Sequence, residues 1–277
     1  MKAQIDMETY LTSSEVARLL GVAPSSIKRW TQAGLLKCVT TPGRHRRFTR
    51  EQVDDFARLH RELRRNTPLH DGADWIQLLL DAESSMEVHA ELLSERVRQG
   101  SWHAVADHLG GVLRDLGERW QRGEISVLDE HRASERLARA LAACAESIPI
   151  SKQAPQAFLA VANGDEHTLG LNLAELCLRE AGWGVVWGGR SLPLDEILAR
   201  LQDGGLGLVG LSASIRSNES QHLRSIVQRL AAACQASGAY LVLGGSGAWP
   251  EFPEYAGRVH RMKDFTSLHE FLLSSSD

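Results

Sequence analysis

The chain has 277 residues, 43% hydrophobic and 24% charged, enough for several packed domains rather than one short module. Its net charge of -4 hides an asymmetry, because residues 1–70 hold 13 Lys and Arg against 7 Asp and Glu, while the remainder holds 18 against 28; a basic head for an anionic partner, nucleic acid first, precedes an acidic body. No apolar run nears the ~20 residues that cross a bilayer, the start Met1-Lys2-Ala3-Gln4-Ile5-Asp6 lacks the apolar core of a secretory signal, and Cys38, Cys144, Cys177 and Cys234 form no C-x-x-C pair, so a soluble cytoplasmic protein with reduced thiols is expected.

In chain order, Thr12-Ser13-Ser14-Glu15 has the form of a capping box and predicts a helix start. Val16, Leu19 and Leu20 supply its apolar face and Gly21 its end; Pro24-Ser25-Ser26 opens a second helix through Ile27, Lys28, Arg29 and Trp30, which Gly34 stops. This is a helix-turn-helix pattern, with Ser25, Ser26, Lys28 and Arg29 as candidate DNA contacts on the second helix and Trp30 packing beneath it. Thr41-Pro42-Gly43 then turns the chain into Arg44-His45-Arg46-Arg47-Phe48, a cationic hairpin suited to phosphate contacts. Residues 10–58 resemble the winged-helix head of MerR-type regulators, with Arg44, His45, Arg46 and Arg47 in the wing.

Residues from Arg61 to Pro68 are polar and charged, and Pro68, Asp71 and Gly72 mark a linker. Residues 74–148 contain no proline and show helical spacing, as in Val105, Leu109, Val112, Leu113 and Leu116, with breaks at Gly100 and Gly123; four helices are expected. The break at Gly123-Glu124-Ile125-Ser126 puts Trp120 at one helix end and Glu130-His131 near the next helix start, a spacing that can bring all three to one surface.

Beyond Pro149, apolar runs at 157–162, 184–187, 207–211, 240–243 and 258–260 alternate with helical stretches. Continuous hydrophobicity predicts strands buried on both faces, hence a five-stranded, flavodoxin-like (Rossmann-like) parallel sheet. At the end of its first strand stands Asp165-Glu166-His167-Thr168-Leu169-Gly170, a D-x-H-x-x-G loop. Ser212 follows Gly170 after 41 residues, and Gly244-Gly245 follows Ser214 after 29. Residues 155–273 resemble the cobalamin-binding domain shared by corrinoid methyltransferases and mutases, whose pattern is D-x-H-x-x-G, S-x-L and G-G; Ser214 stands where that pattern has Leu. The resemblance implies that His167 binds cobalt from below, that Asp165 fixes its tautomer, and that the freed nucleotide tail runs past Ser212 and the Gly244-Gly245 turn.

Together, the head (residues 1–68), the helical layer (72–150) and the α/β unit (154–277) resemble the CarH/LitR family of cobalamin-dependent, light-responsive repressors. That resemblance implies adenosylcobalamin as the cofactor, with Glu166, Gly170, Ser212, Ser214, Gly244 and Gly245 among the residues around it and Trp120 and Glu130 beside its adenosyl group. It also implies a homotetramer on operator DNA in the dark, and His131 as the upper cobalt ligand after light has removed adenosyl. Two other expectations share these residues: a corrinoid methyl carrier, for which the basic head is superfluous, and a regulator that senses cobalamin supply without light or keeps the domain for oligomerisation alone. A cysteine-based metal sensor fits less well, since the cysteines are scattered.

Overall fold

The computed structural model describes residues 10–20, 27, 31, 36–41, 43, 45–56, 72–162, 164–215, 220–251, 255 and 257–275. The chain divides into two units, Met1–Pro68 and Leu69–Asp277.

In the first unit, β1 (Tyr10–Thr12) leads directly into α1 (Ser13–Leu20). The capping box is formed reciprocally: the Thr12 backbone N–H and hydroxyl donate to Glu15 at 2.7 and 2.8 Å, and the Glu15 N–H donates to the Thr12 hydroxyl at 3.3 Å. These bonds satisfy donors that a helix start otherwise leaves open, worth about 1 kcal/mol. β2 (Val39–Thr40) and β3 (Arg46–Thr49) form the wing hairpin, and β3 lies between β1 and β2 in an antiparallel sheet. A second box, Thr49 with Gln52, starts α2 (residues 50–56). Val16, Ala17, Ile27, Leu36, Phe48, Val53 and Phe56 make the core. Leu19 was expected on the packed face of α1 but is 48% exposed. At 100° per residue it sits about 110° from the centre of the face set by Val16 and Ala17, which puts it at the margin of the apolar stripe.

The second unit opens with four helices: α3 (Gly72–Asp81), α4 (Ser85–Gln99), α5 (Trp102–Gln121) and α6 (Val127–Glu146). Gly100 ends α4 in the left-handed region at φ 83°, and Ser101 and Ser126 accept the Ala104 and Asp129 N–H groups to start α5 and α6. An α/β region follows: β4 (Gln156–Val161), α7 (Leu169–Glu180), β5 (Gly184–Gly189), α8 (Leu194–Gln202), β6 (Leu206–Ser212), α9 (Ser220–Ser237), β7 (Tyr240–Gly244), β8 (Val259–Arg261) and α10 (Phe265–Ser274). All five strands are parallel in the order β5-β4-β6-β7-β8, the flavodoxin-like arrangement expected. The order reverses beside β4, and in open α/β sheets ligands gather at the carboxyl ends of strands next to such a switch.

One apolar cluster runs from the bundle (Trp75, Leu92, Leu109, Leu137) through α7 to one sheet face (Leu159, Val161, Leu208); a second, including Phe158, Val209 and Leu230, covers the other face. Each buried Leu contributes about 1.5–3 kcal/mol. Reciprocal caps add direction to the shared core. Glu180, at the end of α7, accepts the Trp102 N–H at 2.8 Å at the start of α5 and pairs with Arg96, while Asp107 of α5 accepts the Phe265 and Thr266 N–H groups at 2.7 and 3.1 Å at the start of α10. Each region thus satisfies open helix donors of the other.

Candidate functional site

The wing closes through the Thr41 N–H donating to the His45 carbonyl at 2.9 Å. His45 is exposed and Arg46 and Arg47 are half-buried on either side of the strand that carries buried Phe48. The period of two in a strand turns alternate side chains outward, so a core residue and a cationic surface are built from one segment. Ser25, Ser26, Lys28, Arg29 and Arg44 lie outside the described residues.

In the second unit the sequence motif becomes one constellation. Asp165 follows the carboxyl end of β4 and its side chain is 1% exposed. Its Oδ1 accepts the His167 backbone N–H at 2.9 Å and lies 2.8 Å from His167 Nδ1, while its Oδ2 accepts the Ser214 N–H. A carboxylate at Nδ1 holds the proton there and leaves the Nε2 lone pair free, the tautomer a metal ligand requires. The His167 side chain is 60% exposed, so that lone pair is accessible. Ser214 makes this contact through its backbone, which explains how the loop tolerates serine where the related pattern has leucine. Glu166 turns the other way, accepting from the Ser191 hydroxyl at 3.1 Å and facing Arg190 at 3.5 Å. Ser191 has φ 57°, a left-handed conformation unusual for a non-glycine residue.

Gly170, Ser212, Gly244 and Gly245 line a cavity of about 370 Å3 that penetrates between the sheet, α7, α10 and the middle of α5. Leu159, Leu208, Gly210 and Val242 form its floor. The glycines are required by close approach: a Cβ on Gly245, at φ 79°, would stand 2.3 Å from the Ala213 carbonyl oxygen, and one on Gly210 would stand 2.5 Å from Leu159 Cδ2. A deep, mostly apolar slot beside an exposed imidazole whose tautomer is fixed fits a corrinoid with a displaced nucleotide tail.

The third predicted element is partly assembled. Trp120 lies in the last turn of α5 and is half-buried; Glu130 and His131 lie in the first turn and a half of α6. His131 Nδ1 is 2.9 Å from Glu130 Oε2, and Glu130 Oε1 accepts from the Ser134 hydroxyl at 2.8 Å. The His131 side chain is 73% exposed. Among the described residues neither Glu130 nor His131 makes a hydrogen bond or ion pair with the His167 loop; His131 instead borders a groove of about 700 Å3 with Glu83, Arg136 and Arg139.

Reasoning from sequence missed Gly110, Arg114 and Lys263, which also line this cavity. Their signal was weak: a glycine pair inside a helix and two isolated cations. It also missed the pinning caps Asp107 and Glu180, which no local pattern marks. Three cysteines, Cys144, Cys177 and Cys234, are core groups; burial pushes the thiols of Cys144 and Cys234 up to about 12 and that of Cys177 higher still. Among the described residues no helix is long and apolar enough to cross a membrane.

Comparison with known proteins agrees with this geometry. Residues 10–60 match the helix-turn-helix domain family, residues 155–259 the B12 binding domain family, and residues 79–145 a second B12 binding domain family that corresponds to the bundle. The chain thus carries a helix-turn-helix domain ahead of two kinds of B12 binding domain, a DNA-binding module joined to a cobalamin-binding body. Among particular proteins, the chain is similar to the HTH-type transcriptional repressor CarH of Myxococcus xanthus, with 24% identity over 250 residues, 77% of this chain and 82% of that protein. The monomethylamine corrinoid protein of Methanosarcina barkeri shares the fold at 17% identity and a TM-score of 0.53, over 72% of this chain and 95% of its own.

Proposed function

We propose that the chain is an adenosylcobalamin-dependent, light-responsive transcriptional repressor, a regulator and not an enzyme, with a head (residues 1–68), a bundle (72–150) and a corrinoid unit (154–277). The observation that carries this reading is the Asp165-held imidazole of His167 beside the glycine-lined cavity, in a chain whose basic amino-terminal unit is a winged helix. When bound, adenosylcobalamin supplies a cobalt–carbon bond that visible light breaks. His167 Nε2 would hold the cobalt, Asp165 would keep the proton on Nδ1, and Gly170, Ser212, Gly244 and Gly245 would admit the tail. Trp120 and Glu130 would pack beside the adenosyl group, and His131, exposed on the first turns of α6, would be available to the cobalt once adenosyl is lost. A signal requires that the dark and lit forms stabilise different arrangements of one element. Trp120 packing in one form and His131 ligation in the other meet that requirement.

In the dark, a homotetramer places several heads on one operator, and avidity supplies the affinity. Ser25, Ser26, Lys28 and Arg29 of the second helix and Arg44, His45, Arg46 and Arg47 of the wing make the contacts. The test is a visible absorption spectrum of the purified chain with adenosylcobalamin, before and after green light, with operator binding followed in parallel. A coloured dark complex whose spectrum and DNA affinity both change on illumination is expected. A colourless protein removes the reading altogether; DNA binding that follows cobalamin but ignores light makes the chain a sensor of cofactor supply.

A further inference from the structure

We propose that Arg114 and Lys263 form a phosphate clamp at the mouth of the tail cavity, gripping the phosphodiester of a corrinoid's lower nucleotide so that the protein selects corrinoids that carry a complete tail. The proposal rests on the cobalamin reading above and assigns residues that neither the D-x-H-x-x-G loop nor the Ser212 and Gly244-Gly245 elements include.

The cavity floor is apolar: Leu159, Leu173, Leu208 and Val242 offer no partner to a charged group. An unpaired phosphodiester cannot follow a planar base into such a slot, because burying an ion without partners costs many kcal/mol. It must stop at the rim. The rim is set by topology. Ser212 and Gly244 end β6 and β7, and Lys263 follows β8, so all stand at the carboxyl edge of the sheet, the edge on which the His167 loop also lies. β8 is three ladder spacings from β4, about 14 Å at ~4.8 Å per strand. A grip at Lys263 is thus a second point of attachment, separate from the imidazole.

Arg114 reaches the same mouth from the bundle. At Gly110 an added Cβ would lie 4.0 Å from the Phe265 ring, so α5 runs close to the first turn of α10, and Arg114 lies one turn further along α5. Its guanidinium folds back along the helix, with NH2 3.9 Å from where a Cβ on Gly111 would be. Arg114 and Lys263 are both exposed, and neither makes a hydrogen bond or close ion pair with a described residue, Lys263 feeling only the charge of its neighbour Asp264. The acid that lines this cavity, Asp264, uses its Oδ1 to accept the Ser267 N–H and hydroxyl at 2.7 and 2.5 Å and so caps α10; these bonds, with a smaller contribution from the charge of neighbouring Lys263, hold its carboxyl below the usual carboxylate range. Two cations from separate elements therefore face the opening of an apolar slot with donors to spare. A planar guanidinium that can donate two parallel bonds and a flexible ammonium suit a phosphodiester.

The test compares cobalamin, which has the nucleotide tail, with cobinamide, which lacks it, by absorbance titration in the dark at two salt concentrations. Wild-type protein should bind cobalamin at least tenfold more tightly than cobinamide, and added salt should narrow the gap. Arg114→Glu/Lys263→Glu should lose most of that preference with cobinamide affinity unchanged, and Arg114→Gln/Lys263→Gln should lose part of it, with both proteins melting as wild type does. Variants that keep the full preference, or that lose cobinamide and cobalamin equally, overturn the clamp while leaving cobalamin binding standing. Wild-type protein that takes up neither corrinoid overturns the underlying reading instead.

Discussion

At the residue scale the site depends on one buried carboxylate serving three donors. Asp165 ties its own loop to the Ser214 turn and bonds His167 Nδ1, so it would act on the proposed metal ligand indirectly. Asp165→Asn should weaken cobalamin binding about 10- to 100-fold, the usual penalty for losing an outer partner of a metal ligand. Equilibrium titration of the variant checks it, and unchanged affinity would show that the tautomer is set by something else. His167→Ala should weaken binding further, with loss of the His-ligated absorption spectrum. Away from the site, His260 is half-buried against Tyr240 and Phe271, and desolvation lowers its pKa below the ordinary 6.5. Between the lowered folded value and 6.5 the unfolded chain binds more protons than the folded one, so stability falls as pH drops through that window. Urea midpoints at pH 7.5 and 5 should show a loss that His260→Phe reduces.

At the element scale, two kinds of feature differ in how far sequence reveals them. The capping boxes at Thr12 and Thr49 and the serine caps of α5 and α6 are local, and their residues sit three apart. Asp107 on Phe265 and Glu180 on Trp102 join residues 158 and 78 positions apart, and no window of sequence contains both partners. These caps pin the first two turns of α5 to the α/β region, at the end opposite Trp120. Asp107→Ala should cost about 1 kcal/mol, the usual worth of a helix cap, read as a lowered urea midpoint with faster amide exchange at the start of α10. The Gly245 turn is less tolerant. Gly245→Ala meets both a left-handed φ and a backbone oxygen at 2.3 Å, so it should destabilise by more than about 1 kcal/mol and abolish tail binding together, measured by thermal melting and cobalamin titration.

At the scale of the whole molecule, function couples an anion-binding head to a corrinoid-binding body of opposite net charge. If the dark form is the tetramer proposed, size-exclusion chromatography with adenosylcobalamin should show a large species that becomes smaller after green light; an elution volume that ignores light would count heavily against the switch. Affinity for operator DNA should fall steeply with salt, because Arg46 and Arg47 of the wing are among the proposed phosphate contacts. His131→Ala should bind cobalamin normally in the dark and yield a less stable lit complex; loss of dark binding would show that its role was misassigned.

What the amino-acid order determined alone were features written in short-range chemistry and periodicity: the capped first helix, the cationic wing, four helices without proline, five apolar strands, and a D-x-H-x-x-G loop at a strand end. Each rests on neighbours along the chain or on a fixed repeat, and so survives being read in one dimension. Tertiary structure alone decided which long-range partners meet. The backbone N–H of Ser214 meets Asp165 across the loop, Glu180 and Asp107 lock bundle to α/β region, and Arg114 and Lys263 come from separate elements to the mouth of one slot. Those contacts follow from the parallel strand order and the packing of α5 over it, a geometry that exists only once the apolar faces have closed on each other.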